Sequence, residues 1–390
     1  MASSAVDQDE RLRRPAGIRS VWLGDTKVSY VPDGVIEGRP RSWLPDTTEE
    51  TWAAHPQYLD ASGHLVASIG GLLVENADRA LLIDAGWGPV SLPAEPGSPN
   101  GAVRGGALLD SLAELGRRPD EIEAVAFTHL HIDHLGWAWQ LAPGSDQPVF
   151  TQAEYLVAAP EWAHRDLAAQ GVTEEEVAAL TPRVRTVTDG QEIFPGVRVQ
   201  ITGGHTAGHT QYVITGGGTR LIAFGDALHS PIQMDHPEWS CLYDHDRAQS
   251  AEHRRQLVAE LEEPDTIGFG IHFADAVFGQ VRRDGAGSAW HPWTSDRRGI
   301  DHYPRPAHPL ACTTPVAKSC PGTDQIHPWR WAVPAQRPRQ SPPRDRGEPH
   351  AAGMSSAPAG KGQIGFPRWA EGFTLRAWIR GASVRSSRFC

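Results

Sequence analysis

The chain has 390 residues, room for one large domain or two ordinary ones. It contains no run of the roughly 18 apolar residues that a membrane span needs. Its four cysteines (Cys241, Cys312, Cys320, Cys390) lack paired spacing and indicate neither a disulfide framework nor a cysteine-held metal. The N-terminal stretch MASSAVDQDERLRRPAG has charge but no apolar segment after it, so it is no secretory signal and the expected location is the cytoplasm. The net charge of -11 is unevenly spread. From Ser295 onward 15 Lys+Arg face 6 Asp+Glu, which leaves 21 basic against 41 acidic side chains in the first 294 residues. So acidic a body would repel a phosphate backbone, and neither nucleic acid nor membrane is an expected partner.

In chain order, residues 1–17 read as a flexible arm. Strand-like runs follow: VWLGDTKVSYVPDG, HLVASIGGLLVEN and ALLIDAGWG. The last barely alternates, as a strand covered on both faces would. GGALLDSLAELG has helical spacing with Gly116 as its stop, and IEAVAF is a second buried strand. TEEEVAALTPRV predicts a helix; VRVQITGG, TQYVITGG and RLIAFGDA predict strands. DRAQSAEHRRQLVAELEE predicts an amphipathic helix of about five turns. DTIGFGIHF, AVFGQVRRDG and SAWHPW close the pattern. The alternation predicts a layered α/β domain over residues 18–293. Residues 294–390 are rich in Pro, Arg and Ser without periodicity and are expected to be disordered.

The chemistry concentrates in FTHLHIDHLGW, residues 127–137. If the strand runs on, His129 and His131 share a face and could hold one ion between them. Asp133 and His134 follow where the chain must leave the strand and could turn toward a second ion. A single zinc site needs only three or four protein ligands, so four within six residues suggest two metals.

THLHIDHLG resembles the HxHxDH signature of the metallo-β-lactamase fold superfamily. TGGHTAGHT resembles its second metal motif, with His205 at the ligand position. AFGDALH resembles the strand-end aspartate motif, with Asp226, and GFGIHF the last motif, with His272. LLIDAGWG resembles the upstream aspartate–glycine turn, placing Asp84 behind the ligands. One departure is Gly203, where many members have proline. The resemblance covers residues from about 20 to 293 and is closest in its motifs to the lactonase and methyl parathion hydrolase-like branch.

What the resemblance implies is a four-layer αββα sandwich holding two divalent cations, zinc first, with manganese, iron or cobalt as alternatives. His129, His131 and His205 would hold one ion, and Asp133, His134 and His272 the other. Asp226 would bridge them. A shared hydroxide would then attack a small ester, lactone or phosphotriester, with Asp133 orienting it. His229, three residues past Asp226, could polarise the substrate or protonate the leaving group, or simply bond a loop carbonyl. His209 reads as structural, His64 and His253 as surface or packing residues. Trp137, Trp239 and Phe273 are candidate pocket walls, although Trp137, right after a glycine that opens a helix, reads first as core. The family habit implies a homodimer. The alternatives are a glyoxalase II-like thioesterase, disfavoured by the acidic segment MDHPEWSCLYDHD, and an iron-dependent oxidoreductase on the same fold.

Overall fold

The computed structural model describes residues 9–168, 172–285 and 287–293; the extension expected from residue 294 lies outside them. The first sheet has nine strands: β1 (Arg19–Leu23), β2 (Thr26–Gly38), β3 (Leu65–Asn76), β4 (Arg79–Ile83), β5 (Val90–Leu92), β6 (Asn100–Gly105), β7 (Ala124–Ala126), β8 (Glu154–Ala158) and β9 (Val184–Val187). They lie in the order β5-β6-β2-β3-β4-β7-β8-β9, with β1 paired to β2. The second sheet runs in chain order through β10 (Glu192–Phe194), β11 (Val197–Ile201), β12 (Thr210–Gly216), β13 (Thr219–Ala223), β14 (Thr266–Phe269), β15 (Phe278–Asp284) and β16 (Gly287–Pro292). Pairing is parallel at β4–β7, β7–β8, β8–β9 and β13–β14 and antiparallel elsewhere.

The layers follow from the two-residue period of a strand. Leu81 and Ile83 of β4 point into a core shared with Val197, Val199, Tyr212, Leu221 and Ala223 of the other sheet. Leu82, between them, points to the opposite face and packs with Leu108, Leu112, Leu135 and Leu180 from helices. The second sheet repeats the scheme. Leu221 and Ala223 face inward, while Ile222 packs on Leu257, Val258 and Leu261 of the helix Arg247–Leu261. Helix, sheet, sheet and helix therefore stack as four layers. The central strands β3, β4, β7 and β14 are covered on both sides, which is why their runs read as nearly continuous apolar segments.

The helix Arg247–Leu261 begins where the Asp246 carboxylate accepts from the backbone N–H groups of Ala248 and Gln249. Its 15 residues make about four turns rather than five. Its inner face is also not purely apolar. Arg254 is wholly buried, donating to the Pro237 carbonyl at 2.7 Å, Ser240 Oγ at 2.8 Å and Asp244 Oδ2 at 3.0 Å. His253 beside it is buried too, and burial with the neighbouring guanidinium lowers its pKa to about 4.

The arm expected over residues 1–17 is anchored along its described part. Ala16 donates its N–H to Ser68 Oγ, Arg11 donates to the Asp275 carbonyl, and Arg14 pairs with the buried Asp275 carboxylate. Among the described residues no helix is long and apolar enough to cross a membrane.

Candidate metal centre

Strand β7 stops at Ala126, so His129 and His131 lie in the loop beyond it rather than on a strand face. His131 then precedes a one-turn helix, Ile132–Leu135, that carries Asp133 and His134. That turn is possible only against a glycine: a Cβ on Gly136 would stand 1.8 Å from the Trp87 carbonyl oxygen. Gly136→Ala should push the turn outward and cost about 1–3 kcal/mol or more. Urea unfolding with an unchanged midpoint would contradict this.

His205 sits in the turn between β11 and β12, Asp226 in a turn after β13 and His272 just after β14. Gly203, two residues before His205, has φ +61, a conformation that proline's ring forbids. The departure from the family's proline is thus a different backbone in this loop. Glu161, buried at 5% exposure, ties two of the histidine loops together. It accepts from Leu130 N at 3.0 Å, Thr206 Oγ1 at 2.7 Å and Gly208 N at 2.9 Å.

These loops bring seven side chains to one place. His129, His131, His205 and Asp226 form one group that could hold a cation, and Asp133, His134 and His272 another; within each, the ligand atoms lie within 4.8 Å of one another. Asp226 faces both. Its Oδ2 is 3.7 Å from His129 Nε2 and 3.6 Å from His205 Nε2. Its Oδ1 is 3.4 Å from His134 Nε2 and 3.3 Å from His272 Nε2. Asp133 Oδ2 stands 3.6 Å from His272 Nε2 and 3.8 Å from His134 Nε2.

Four of the imidazoles have their outward nitrogen engaged. His272 Nδ1 faces the Ser68 carbonyl at 2.9 Å, His134 Nδ1 faces Asp84 Oδ2 at 2.9 Å, and His205 Nδ1 faces Asp244 Oδ1 at 2.9 Å. Each acceptor requires that nitrogen to carry the hydrogen. His129 Nδ1 meets Thr128 Oγ1 at 3.0 Å, and that hydroxyl gives its own proton to Asp84 at 2.9 Å. In every case the Nε2 lone pair is turned toward the centre, the arrangement that orients histidines for metal ligation. His131 presents Nδ1 instead, 3.1 Å from His205 Nε2.

Burial holds His129 and His131 well below the usual histidine range, as neutral imidazoles. Burial works against charge on His134 as well, but Asp226, Asp133 and Asp84 together lift it well above that range. Burial likewise opposes ionisation of Asp226, yet His272, His134, His129 and His229 around it hold its carboxyl far down. The carboxylates thus call for positive charge at a point where imidazole nitrogens converge. His129 Nε2, His134 Nε2 and Asp226 Oδ1 are buried without a hydrogen-bond partner, which is costly unless something else occupies their lone pairs. Neutral nitrogens with carboxylate oxygens suit zinc and similar cations, so the residues fit such an ion.

His229 is 4% exposed, with Nε2 3.3 Å from Asp226 Oδ2 and both ring nitrogens unpartnered. It stacks on His272 at 5.7 Å between centroids. His209 is a supporting residue. Its Nε2 accepts from Asp226 N at 3.1 Å, so its Nδ1 donates to Thr202 Oγ1 at 2.9 Å. His64 lies half-buried beside Glu37.

Of the three aromatic candidates, Phe273 is fully buried among Phe224 and Trp290 and belongs to the core. Trp137 is core too, its indole N–H bonded to Asp33 Oδ1 at 2.8 Å. Trp239 stacks on His236 at 3.8 Å. The walls the sequence did not single out are Trp43, edge-on to His229 and His272 at 5.9 and 6.3 Å, and Tyr243, 6.4 Å from the His131 ring. Asp244 was also missed, since nothing in an irregular acidic segment marks one carboxylate as the partner of a distant histidine.

Comparison with known proteins agrees with this architecture. The metallo-beta-lactamase superfamily model matches residues 72–268. An N-acyl homoserine lactonase of Bacillus thuringiensis is 24% identical over 214 residues, 51% of this chain and 78% of its own. AidC, a dizinc quorum-quenching lactonase, shares the fold with a TM-score of 0.60 at 21% identity, over 72% of this chain and 99% of its own. The hydrolase AbOPH does so with a TM-score of 0.58 at 24% identity, over the same shares. With half of its length matched by the family model, the chain belongs to the metallo-beta-lactamase superfamily.

Proposed function

We propose that this metal-dependent hydrolase works with two divalent cations, zinc first, and cleaves a small lactone, ester or phosphotriester. In this reading His129, His131 and His205 hold one cation and Asp133, His134 and His272 the other, with Asp226 shared between them. The observation that carries it is the common inward aim of the Nε2 lone pairs of four imidazoles onto the two oxygens of Asp226. When bound, such a pair supplies Lewis acidity and a nucleophile at neutral pH. The chain's residues do the rest. Asp133, only partly buried, orients the attacking group and can take its proton. Trp43 and Tyr243 give an apolar flank to a polar floor, the usual form of a small-molecule site.

The lactone is placed first because the Bacillus thuringiensis relative and AidC are lactonases. Metal analysis of the purified protein, coupled to a panel of lactone, aryl ester, thioester and phosphotriester substrates, tests the reading. Fewer than two equivalents of metal in a fully active protein would exclude it. Iron with dioxygen consumption would favour the oxidoreductase, and thioester turnover alone the thioesterase.

His229 is assigned to the substrate: its Nε2, without a hydrogen-bond partner, lies 3.3 Å from Asp226 Oδ2, yet it stands outside both ligand groups. His229→Ala should lower turnover about 100-fold with metal content unchanged. Unchanged turnover on every substrate class would remove it from the mechanism.

A further inference from the structure

We propose that the N-terminal segment Glu10–Arg19 is a positioning element for His272, and through it for the cation held by Asp133, His134 and His272. The inference rests on the ligand role given to His272 above. The segment lies outside the residues the superfamily model matches, 72–268, and so does His272.

The link is a short chain of bonds. Ala16 N donates to Ser68 Oγ at 2.9 Å, and that hydroxyl donates to the Ala274 carbonyl at 3.1 Å. The carbonyl of the same Ser68 is the acceptor that fixes His272 Nδ1, at 2.9 Å. One residue therefore touches the segment, the turn after His272 and the imidazole itself. The turn is strained: Ala274 has φ +46, a left-handed conformation that a residue with a Cβ adopts only when its surroundings impose it.

The next residue supplies that constraint. Asp275, 2% exposed, takes Arg14 on Oδ2 at 2.9 Å and Arg19 on both oxygens at 2.7 Å. Arg11 donates to the Asp275 carbonyl at 2.7 Å, and Asp275 N returns a bond to the Arg11 carbonyl at 3.0 Å. Leu12, between them, lines a small cavity with Tyr58, Pro231, His229, His272 and Ala274. Three arginines thus clamp the turn that aims His272, over sequence separations of 256–264 residues. Asp133 and His134, in contrast, are held from the first sheet and have no contact in this chain of bonds.

The test uses the full chain with Arg14→Ala and Arg19→Ala combined, and separately Ser68→Ala. Cobalt(II) is titrated against a competing chelator, reading the two equivalents by their visible absorption, with hydrogen exchange of residues 10–19 followed in parallel. The expected result is faster exchange of the segment and an affinity for one equivalent lowered about 10–100-fold, the scale of removing a ligand's orienting partner. The other equivalent should stay within about twofold. Arg14→Lys with Arg19→Lys should restore part of the loss, since lysine keeps the charge but not the forked donor geometry. If both equivalents weaken together, or if neither moves although the segment exchanges freely, the proposal is overturned. His272→Ala separates this from failure of the ligand reading: a chain lacking that imidazole yet holding both equivalents at full affinity would refute the role of His272 itself.

Discussion

Asp226→Ala should strip the protein of its cations and its hydrolytic turnover together. Asp226 reaches both groups, with imidazole nitrogens 3.3–3.7 Å from its two oxygens. Removing it would leave the two groups without a shared anion and take away charge that would offset the two divalent ions proposed. Loss of a partner one bond further out typically lowers affinity 10–100-fold, so loss of the shared carboxylate should exceed about 100-fold. Turnover at a fixed, limiting metal concentration should fall at least as far. Metal content after dialysis and initial rates on the best substrate are the measurements. A variant that kept full activity would exclude a two-cation mechanism.

The second large effect concerns a carboxylate set behind His205, on the side of its Nδ1. In Asp244→Ala, Arg254 would lose its only carboxylate partner among the described residues while remaining wholly buried, and His205 would lose the acceptor that aims it. Burial opposes ionisation of Asp244, but His205 and Arg254 hold its carboxyl well below the usual range, so the pair is charged in the folded protein. Breaking a buried ion pair from one side costs about 3–5 kcal/mol, more than deleting a surface pair, because a buried charge is left without its counter-ion. The expected result is a strongly lowered unfolding midpoint together with weaker cation binding. The double variant Asp244→Ala, Arg254→Met should regain stability without regaining affinity. If the single variant is as stable as the parent, the Arg254 charge must find another route to solvent.

Much of this was legible in the residues. Runs such as LLV, ALLI and LIA are apolar throughout because these parts of the strands are covered on both faces, and they mark the sheets directly. The edge strand β5 and its neighbour β6 were not legible: they lie in a stretch, PVSLPAEPGSPNGAVRG, whose prolines and glycines read as loop, and β6 takes its pairing from β2 and β5 from β6. The converging side chains were foreseen, but the strand geometry used to pair His129 with His131 does not hold. They pair across a loop and present different ring nitrogens, Nε2 and Nδ1. The orienting acceptors divide in the same way. Asp84 announced itself through an aspartate–glycine turn. Thr128, Ser68 and Asp244 did not, because hydroxyls, carbonyls and carboxylates brought from remote segments have no period in the chain.

The placement of the seven side chains has a mechanical meaning. His129, His131, Asp133 and His134 hang from the first sheet; His205, Asp226 and His272 hang from the second. Cations shared between them would rivet the two sheets at one rim of their common core. Each would act as a cross-link that forms late, once segments some 70 to 140 residues apart have met, and would stabilise the joined state in proportion to its affinity. A chelator would then loosen the seam between the sheets as well as silence the chemistry.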